Sequence, residues 1–96
     1  MNFSWDETKK AKVLAEHKVD FARIVDVFED PFAIEAIDEI HSTVDDVRFT
    51  IIGLTRDYGL IFLVFTEPSE TELRFVTARK AEPWMKMLYD KERSKR

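Results

Sequence analysis

Leu60-Ile61-Phe62-Leu63-Val64-Phe65 is an unbroken apolar run. A strand made of it would present apolar side chains to both faces, so it predicts the central strand of a sheet that is covered on both sides. Asp57-Tyr58-Gly59 before it and Pro68-Ser69-Glu70 after it carry turn residues. Upstream of the first turn, Val47, Phe49 and Ile51 alternate with Arg48 and Thr50. Downstream of the second, Leu73 and Phe75 alternate with Arg74 and Val76. Both patterns predict half-buried strands on either side of the central one.

The flanks read as helices. Phe3–Trp5 suits a short edge strand, and Asp6 then caps a helix with Glu7 in its first turn. That helix runs to about His17, with Val13, Leu14 and His17 on its apolar side and Lys12–Glu16 as an i,i+4 pair. Asp20 reads as a second cap. Phe21, Ile24, Val25 and Phe28 follow at amphipathic spacing until Asp30-Pro31 ends the segment. In Ala33–Ile40 the isoleucines 34, 37 and 40 recur every third residue, which favours a helix on periodicity alone. Ala81 to about Arg93 predicts a closing helix with Trp84, Met87 and Leu88 inward and Pro83 in its first turn. The expected fold is α+β: a small antiparallel sheet, two N-terminal helices and a C-terminal helix.

With 96 residues and no repeat or linker, the chain is expected to be one domain, 1–96. It has no cysteine and only His17 and His41 as histidines. Disulfides, thiolate chemistry and a histidine-based metal site are therefore not expected, and no cofactor is expected either. The longest apolar run is too short for a bilayer, and the N-terminus does not read as a signal peptide, so a soluble, cytoplasmic protein without membrane contact is expected. The formal net charge of −4 argues against indiscriminate nucleic-acid binding and against direct sequence-specific DNA binding by the chain alone. Basic residues are nevertheless concentrated at Lys9–Lys12, Arg74–Lys80 and Lys86–Arg96. Any RNA site must be local, and the run from Lys91 to Arg96 reads by default as solvated tail.

Two separated stretches carry a family signature. The first is Phe3-Ser4-Trp5-Asp6-Glu7-Thr8-Lys9, with His17-Lys18-Val19-Asp20-Phe21 and Phe28-Glu29-Asp30-Pro31 behind it; the second is Arg74-Phe75-Val76-Thr77-Ala78-Arg79-Lys80-Ala81. Together they resemble the BrnT family, the toxin half of bacterial type II toxin–antitoxin pairs, over roughly Phe3 to Tyr89. The resemblance implies a RelE-like fold with a strand at 33–40, and the strand is adopted here. It also implies an endoribonuclease that cleaves RNA by 2′-hydroxyl attack without a metal, and a cognate BrnA-like ribbon-helix-helix antitoxin as partner.

Such cleavage needs a proton acceptor, cations that stabilise the phosphorane, and a proton donor for the leaving oxygen. Arg48 and Arg74 are expected on one sheet face, out of phase with their apolar neighbours, where their planar forks could hold phosphate. Arg79 and Lys80 match the signature at the strand-to-helix junction, and Arg79 ranks first. The alternative for Arg48 and Arg74 is a solvated surface role, paired with Glu72 or Glu67, and for Arg79 it is fixing the junction through backbone carbonyls. Glu67 and His17 are the candidates for proton transfer, although His17 also reads as a structural histidine. Lys9 and Trp5 are candidates for RNA contact, Trp5 by stacking or, alternatively, by pinning the strand to the core. His41, in an acidic loop, is weaker. The chain departs from the family pattern at Val13, Glu16, Val47, Gly59 and Met85. The rival expectation is therefore a catalytically impaired member that acts as a protein-binding module.

Overall fold

The computed structural model describes residues 1–95; Arg96, the last residue of the basic tail, lies outside the described residues. The strands are β1 (Asn2–Ser4), β2 (Ile34–Ile37), β3 (Arg48–Thr55), β4 (Gly59–Ser69) and β5 (Glu72–Lys80), and the α-helices are α1 (Glu7–His17) and α2 (Pro83–Ser94). The sheet order is β1-β5-β4-β3-β2. β4 is central, as its apolar run requires. Its neighbours β3 and β5 are antiparallel to it, and β2 is antiparallel to β3. β1 pairs parallel to β5, so the sheet is mixed and not wholly antiparallel.

Alternation along β4 separates two cores. Ile61, Leu63 and Phe65 face one side together with Ile51, Leu73, Phe75 and Ala78. Leu60 and Phe62 face the other with Ile52, Met85 and Tyr89. The first core is the larger and is aromatic at its centre. Phe21 meets Phe75 edge-on at 5.6 Å, Phe28 meets Phe65 edge-on at 5.1 Å, and Trp5 lies 5.7 Å from Phe75. Edge-on pairs bring the positive ring rim to the negative ring face.

This core is roofed by two 3-10 segments, Phe21–Arg23 and Val25–Glu29, where the sequence predicted a second α-helix. Phe21, Ile24 and Val27 are all fully buried, a period of three that superimposes side chains on a 3-10 helix and spreads them on an α-helix. The segment from Ala33 is a strand and not a helix. Of its three isoleucines only Ile34 packs, while Ile37 and Ile40 are exposed.

α1 begins where expected. Asp6 Oδ1 accepts from Thr8 N at 2.8 Å and from Lys9 N at 3.1 Å, and these bonds hold its carboxyl below the usual range. Only Val13 is buried on this helix; Leu14 and His17 are exposed. α2 is rotated from the predicted phase. Met85 and Tyr89 are buried, while Trp84, Met87 and Leu88 face outward. Both sets have helical spacing, but Tyr89 Oη donates to Asp30 Oδ2 at 2.7 Å, a bond open only to the observed phase.

Candidate functional site: a two-arginine hollow

The second sheet face is only partly covered. Met85 and Tyr89 seal its Ile52–Phe62 end. At the other end, a hollow of about 390 Å³ has Phe62, Val64 and Thr77 in its floor and Arg48, Arg79, His17 and His41 around it. The sheet register explains why these residues meet. Thr50, Val64 and Thr77 form one row across three strands, and Ile52, Phe62 and Arg79 form the next.

A register shift in the β4–β5 pairing makes this possible. Phe65 pairs with Phe75, but Val64 pairs with Thr77, so Val76 is the extra residue. Strict alternation from Phe75 would aim residues 77 and 79 into the aromatic core. The bulge reverses the parity, sends Ala78 inward and sets Arg79 on the face that carries Arg48 and Arg74. Arg48 enters at the start of β3, in the row Arg48–Thr66–Arg74.

Each arginine is held but incompletely bonded. The Arg79 guanidinium lies 5.2 Å from the Phe62 ring centre, and its Nη2 donates to Glu82 at 3.4 Å. Arg48 Nε lies 3.5 Å from Asp46 in an ion pair. The Nε atoms of both arginines are shielded from solvent, and among the described residues neither donates a hydrogen bond. A shielded donor without a hydrogen bond carries a desolvation cost.

The histidines come from either side of the hollow. α1 ends at His17 because Lys18 takes the left-handed conformation, with φ 60°. His17 is followed by no tight partner; its Nε2 lies 4.0 Å from Glu16. His41 is better fixed. Its Nδ1 is 2.8 Å from Asp38 Oδ2, and its backbone N donates to Asp38 Oδ1 at 3.3 Å. The His41 side-chain bond chiefly holds the Asp38 carboxyl below its ordinary range. Asp38 is anchored in turn: its N donates to Arg48 O at 2.8 Å, and Arg48 N donates to Ser42 Oγ at 2.8 Å. The loop thereby ties His41 to the strand that presents Arg48.

Other candidates lie elsewhere. Arg74 shares the sheet face but does not line the hollow; its charge acts on Asp6. Glu67 lies beside Asp45 and Asp46 in a separate acidic depression, where a phosphate would be repelled. Lys80 pairs in register with Ile61, on the face opposite Arg79. Trp5 packs on Phe21 and Phe75 and donates to Glu7 at 3.2 Å, so its ring serves the core. Lys9 lines a smaller neighbouring depression. His41, ranked weaker from the sequence, lines the hollow, and Asp38 beside it had no place among the sequence candidates. Their three-residue spacing was the available signal.

A comparable hollow of about 380 Å³ on the side of the 3-10 segments also contains two arginines, Arg23 and Arg56, but Asp26, Glu29 and Asp57 line it with them. Acidic groups outnumber basic ones there. In the Arg48–Arg79 hollow the balance is reversed, with Asp38 as the only carboxylate in its lining. The altered family positions fall outside this lining. Val13 and Met85 are core residues here, and Gly59 occupies a turn at φ 71°.

The profile of a family described as "Ribonuclease toxin, BrnT, of type II toxin-antitoxin system" matches residues 5–83. Among solved structures, the 1.1 Å crystal structure of the Brucella abortus ribonuclease toxin, BrnT, matches with a TM-score of 0.65 at 24% sequence identity. The match covers 85% of this chain and 97% of that one, and it concerns the fold. No curated protein matches the chain. With the greater part of its length matched by the profile, the chain belongs to the BrnT family of ribonuclease toxins from type II toxin–antitoxin systems.

Proposed function

We propose that the chain is an endoribonuclease toxin that cleaves RNA by 2′-hydroxyl attack without a metal, and that the Arg48–Arg79 hollow is its active site. The observation that carries this reading is the pair of partly exposed arginine side chains, Arg48 and Arg79, that border one hollow together with His17 and His41. A phosphate between the two guanidinium groups would receive two fixed positive charges. As the 2′-oxygen attacks, negative charge builds on the non-bridging oxygens, where the guanidinium groups are already placed.

Proton transfer falls to the histidines. Asp38 engages His41 Nδ1, which leaves Nε2 as the basic nitrogen to accept the 2′-hydroxyl proton. His17, across the hollow, donates to the departing 5′-oxygen. Glu67 lines a separate depression and takes no part in this arrangement, and Arg74, on the same sheet face, acts as a further charge outside the hollow. The bonds balance: the 2′-oxygen–phosphorus bond forms, the phosphorus–5′-oxygen bond breaks, and one proton is taken up while another is released.

Membership of a type II toxin–antitoxin family implies an antitoxin partner, proposed here to be a ribbon-helix-helix protein encoded beside the toxin. Purified chain with EDTA present should cleave single-stranded RNA to 2′,3′-cyclic phosphate and 5′-hydroxyl ends. Arg79→Ala and Arg48→Ala should each slow cleavage by about 10²–10³. Unchanged rates in both variants, with the fold intact, would remove the hollow from the mechanism. Growth arrest on expression should be relieved by the neighbouring gene's product.

A further inference from the structure

We propose that the outer face of α1 forms a groove for the RNA backbone that leads into the arginine hollow, with Lys9 and Lys12 as its phosphate contacts. The proposal rests on the ribonuclease reading of that hollow and names where the rest of the substrate runs.

Lys9, Lys12, Val13 and Glu16 fall at i, i+3, i+4 and i+7, so they share one helical face. Val13 is 5% exposed and anchors that face to the core, which leaves the two lysines on its flank. Opposite them stand Val76 and Thr77, and the space between is a depression of about 190 Å³. Thr77 also belongs to the floor of the arginine hollow. The two depressions therefore adjoin at one shared residue, beside the bulge that aims Arg79.

The lysines of α1 divide into two kinds. Lys10 pairs with Asp20 at 3.8 Å and sits 5.8 Å over the Trp5 ring. Lys9 and Lys12 are in no ion pair among the described residues. Their ammonium groups stand at the groove with Asp6 near Lys9 and Glu16 in the same lining, but without a carboxylate in ion-pair contact among the described residues. From Lys9 to His17 the helix rises about 12 Å at its usual 1.5 Å per residue. That length accommodates about three phosphates at the roughly 3.4 Å spacing of a stacked strand, fewer if the strand is extended. Glu16 is the one groove residue with the wrong sign for phosphate, and its position beside His17 puts it at the junction of the two depressions.

The test is binding of a fluorescent, fully 2′-O-methylated RNA hexanucleotide, which lacks the attacking hydroxyl, measured by anisotropy over a range of salt. A methylated dinucleotide is the short control. Lys9→Ala/Lys12→Ala should weaken the hexamer and flatten the slope of log K against log salt by about 1.4, the value for two lost single-strand contacts. The dinucleotide should bind that variant as it binds the native chain. Glu16→Gln should tighten the hexamer. Lys91→Ala/Lys95→Ala removes the same charge elsewhere and should have a smaller effect on both. If the groove variant shifts the hexamer no more than the tail variant does, or Glu16→Gln weakens it, the groove is wrong. That failure is separable from failure of the active site: it would stand beside normal loss of cleavage in Arg48→Ala and Arg79→Ala. Full cleavage by those two variants, or no hexamer binding by the native chain, overturns both.

Discussion

The two faces of the sheet have been put to different uses. One is roofed by the 3-10 segments over its centre, and its core is a set of rings around Phe75. The other is sealed only at the end where Met85 and Tyr89 pack, and its uncovered end carries arginines and histidines. On the proposed reading the contrast separates stability from chemistry within one strand, since β5 gives Phe75 to the first face and Arg79 to the second. Substitutions on the two faces should therefore have effects of different kinds.

The largest effect belongs to the roofed face. Phe75 is 1% exposed and meets Phe3, Trp5, Phe21 and Phe28. Phe75→Ala should cost about 3–5 kcal/mol, a large share of the ~5–15 kcal/mol that keeps a typical domain folded. Urea denaturation would measure it. A loss below about 1 kcal/mol would mean that the ring cluster collapses around the cavity and does not organise this face.

On the open face the expected loss is in rate. His41 is 68% exposed at its side chain, and its removal leaves no cavity. His41→Ala should lower cleavage by about 10²–10⁴ while the urea midpoint stays close to native. Asp38→Asn should also slow the reaction, because an amide no longer fixes the same ring tautomer. Equal rates for native and His41→Ala would transfer the base role to another group.

How far the sequence revealed this division depends on the element. Leu60–Phe65 was legible as the central strand because a strand buried on both faces leaves no other reading of six apolar residues. Asp6 was legible as a cap because the bond it makes is local. The parity of Arg79 was not, since a single extra residue at Val76 reverses it and only the pairing with β4 shows where that residue lies. The parallel pairing of β1 with β5 is likewise a long-range event. The phase of α2 was ambiguous between two sets of equal spacing, and a contact between Tyr89 and Asp30, distant in sequence, selects one. Arg48 could be assigned a face from alternation alone; the Asp38–His41 pair required the loop that Arg48 itself anchors.

A third effect tests how closely the roof sits on the sheet. Gly53 lies in the middle of β3, where a Cβ would stand 2.7 Å from Val27 Cγ2 and 3.1 Å from Ala33 Cβ. The roof and the following loop approach this strand through the missing side chain. Gly53→Ala should cost about 1–3 kcal/mol through overpacking, with cleavage by the folded fraction retained. A neutral or stabilising change in the urea midpoint would mean that Val27 shifts aside freely.

The smallest effect lies where the faces are tied together. Asp30 follows the 3-10 roof, yet it accepts Phe32 N at 2.9 Å, Leu54 N at 2.8 Å and Tyr89 Oη at 2.7 Å. Burial pushes its carboxyl up, but these bonds outweigh burial and leave it below the ordinary carboxylate value of 3.8. Its contribution is therefore present above that value and is lost as pH falls through the lower folded pKa. Tyr89 is the mirror case. Burial first, then the bond to Asp30, pushes its hydroxyl up from 10.0 to about 12, so its contribution holds below 10 and is lost as pH rises through about 12. Tyr89→Phe leaves Asp30 two backbone donors and should cost about 1 kcal/mol. The difference between native and variant in urea should be flat from about pH 4 to 10 and shrink on either side. A difference that does not change with acidification would show that α2 is held by Met85 packing and that the Asp30 carboxylate contributes nothing through Tyr89.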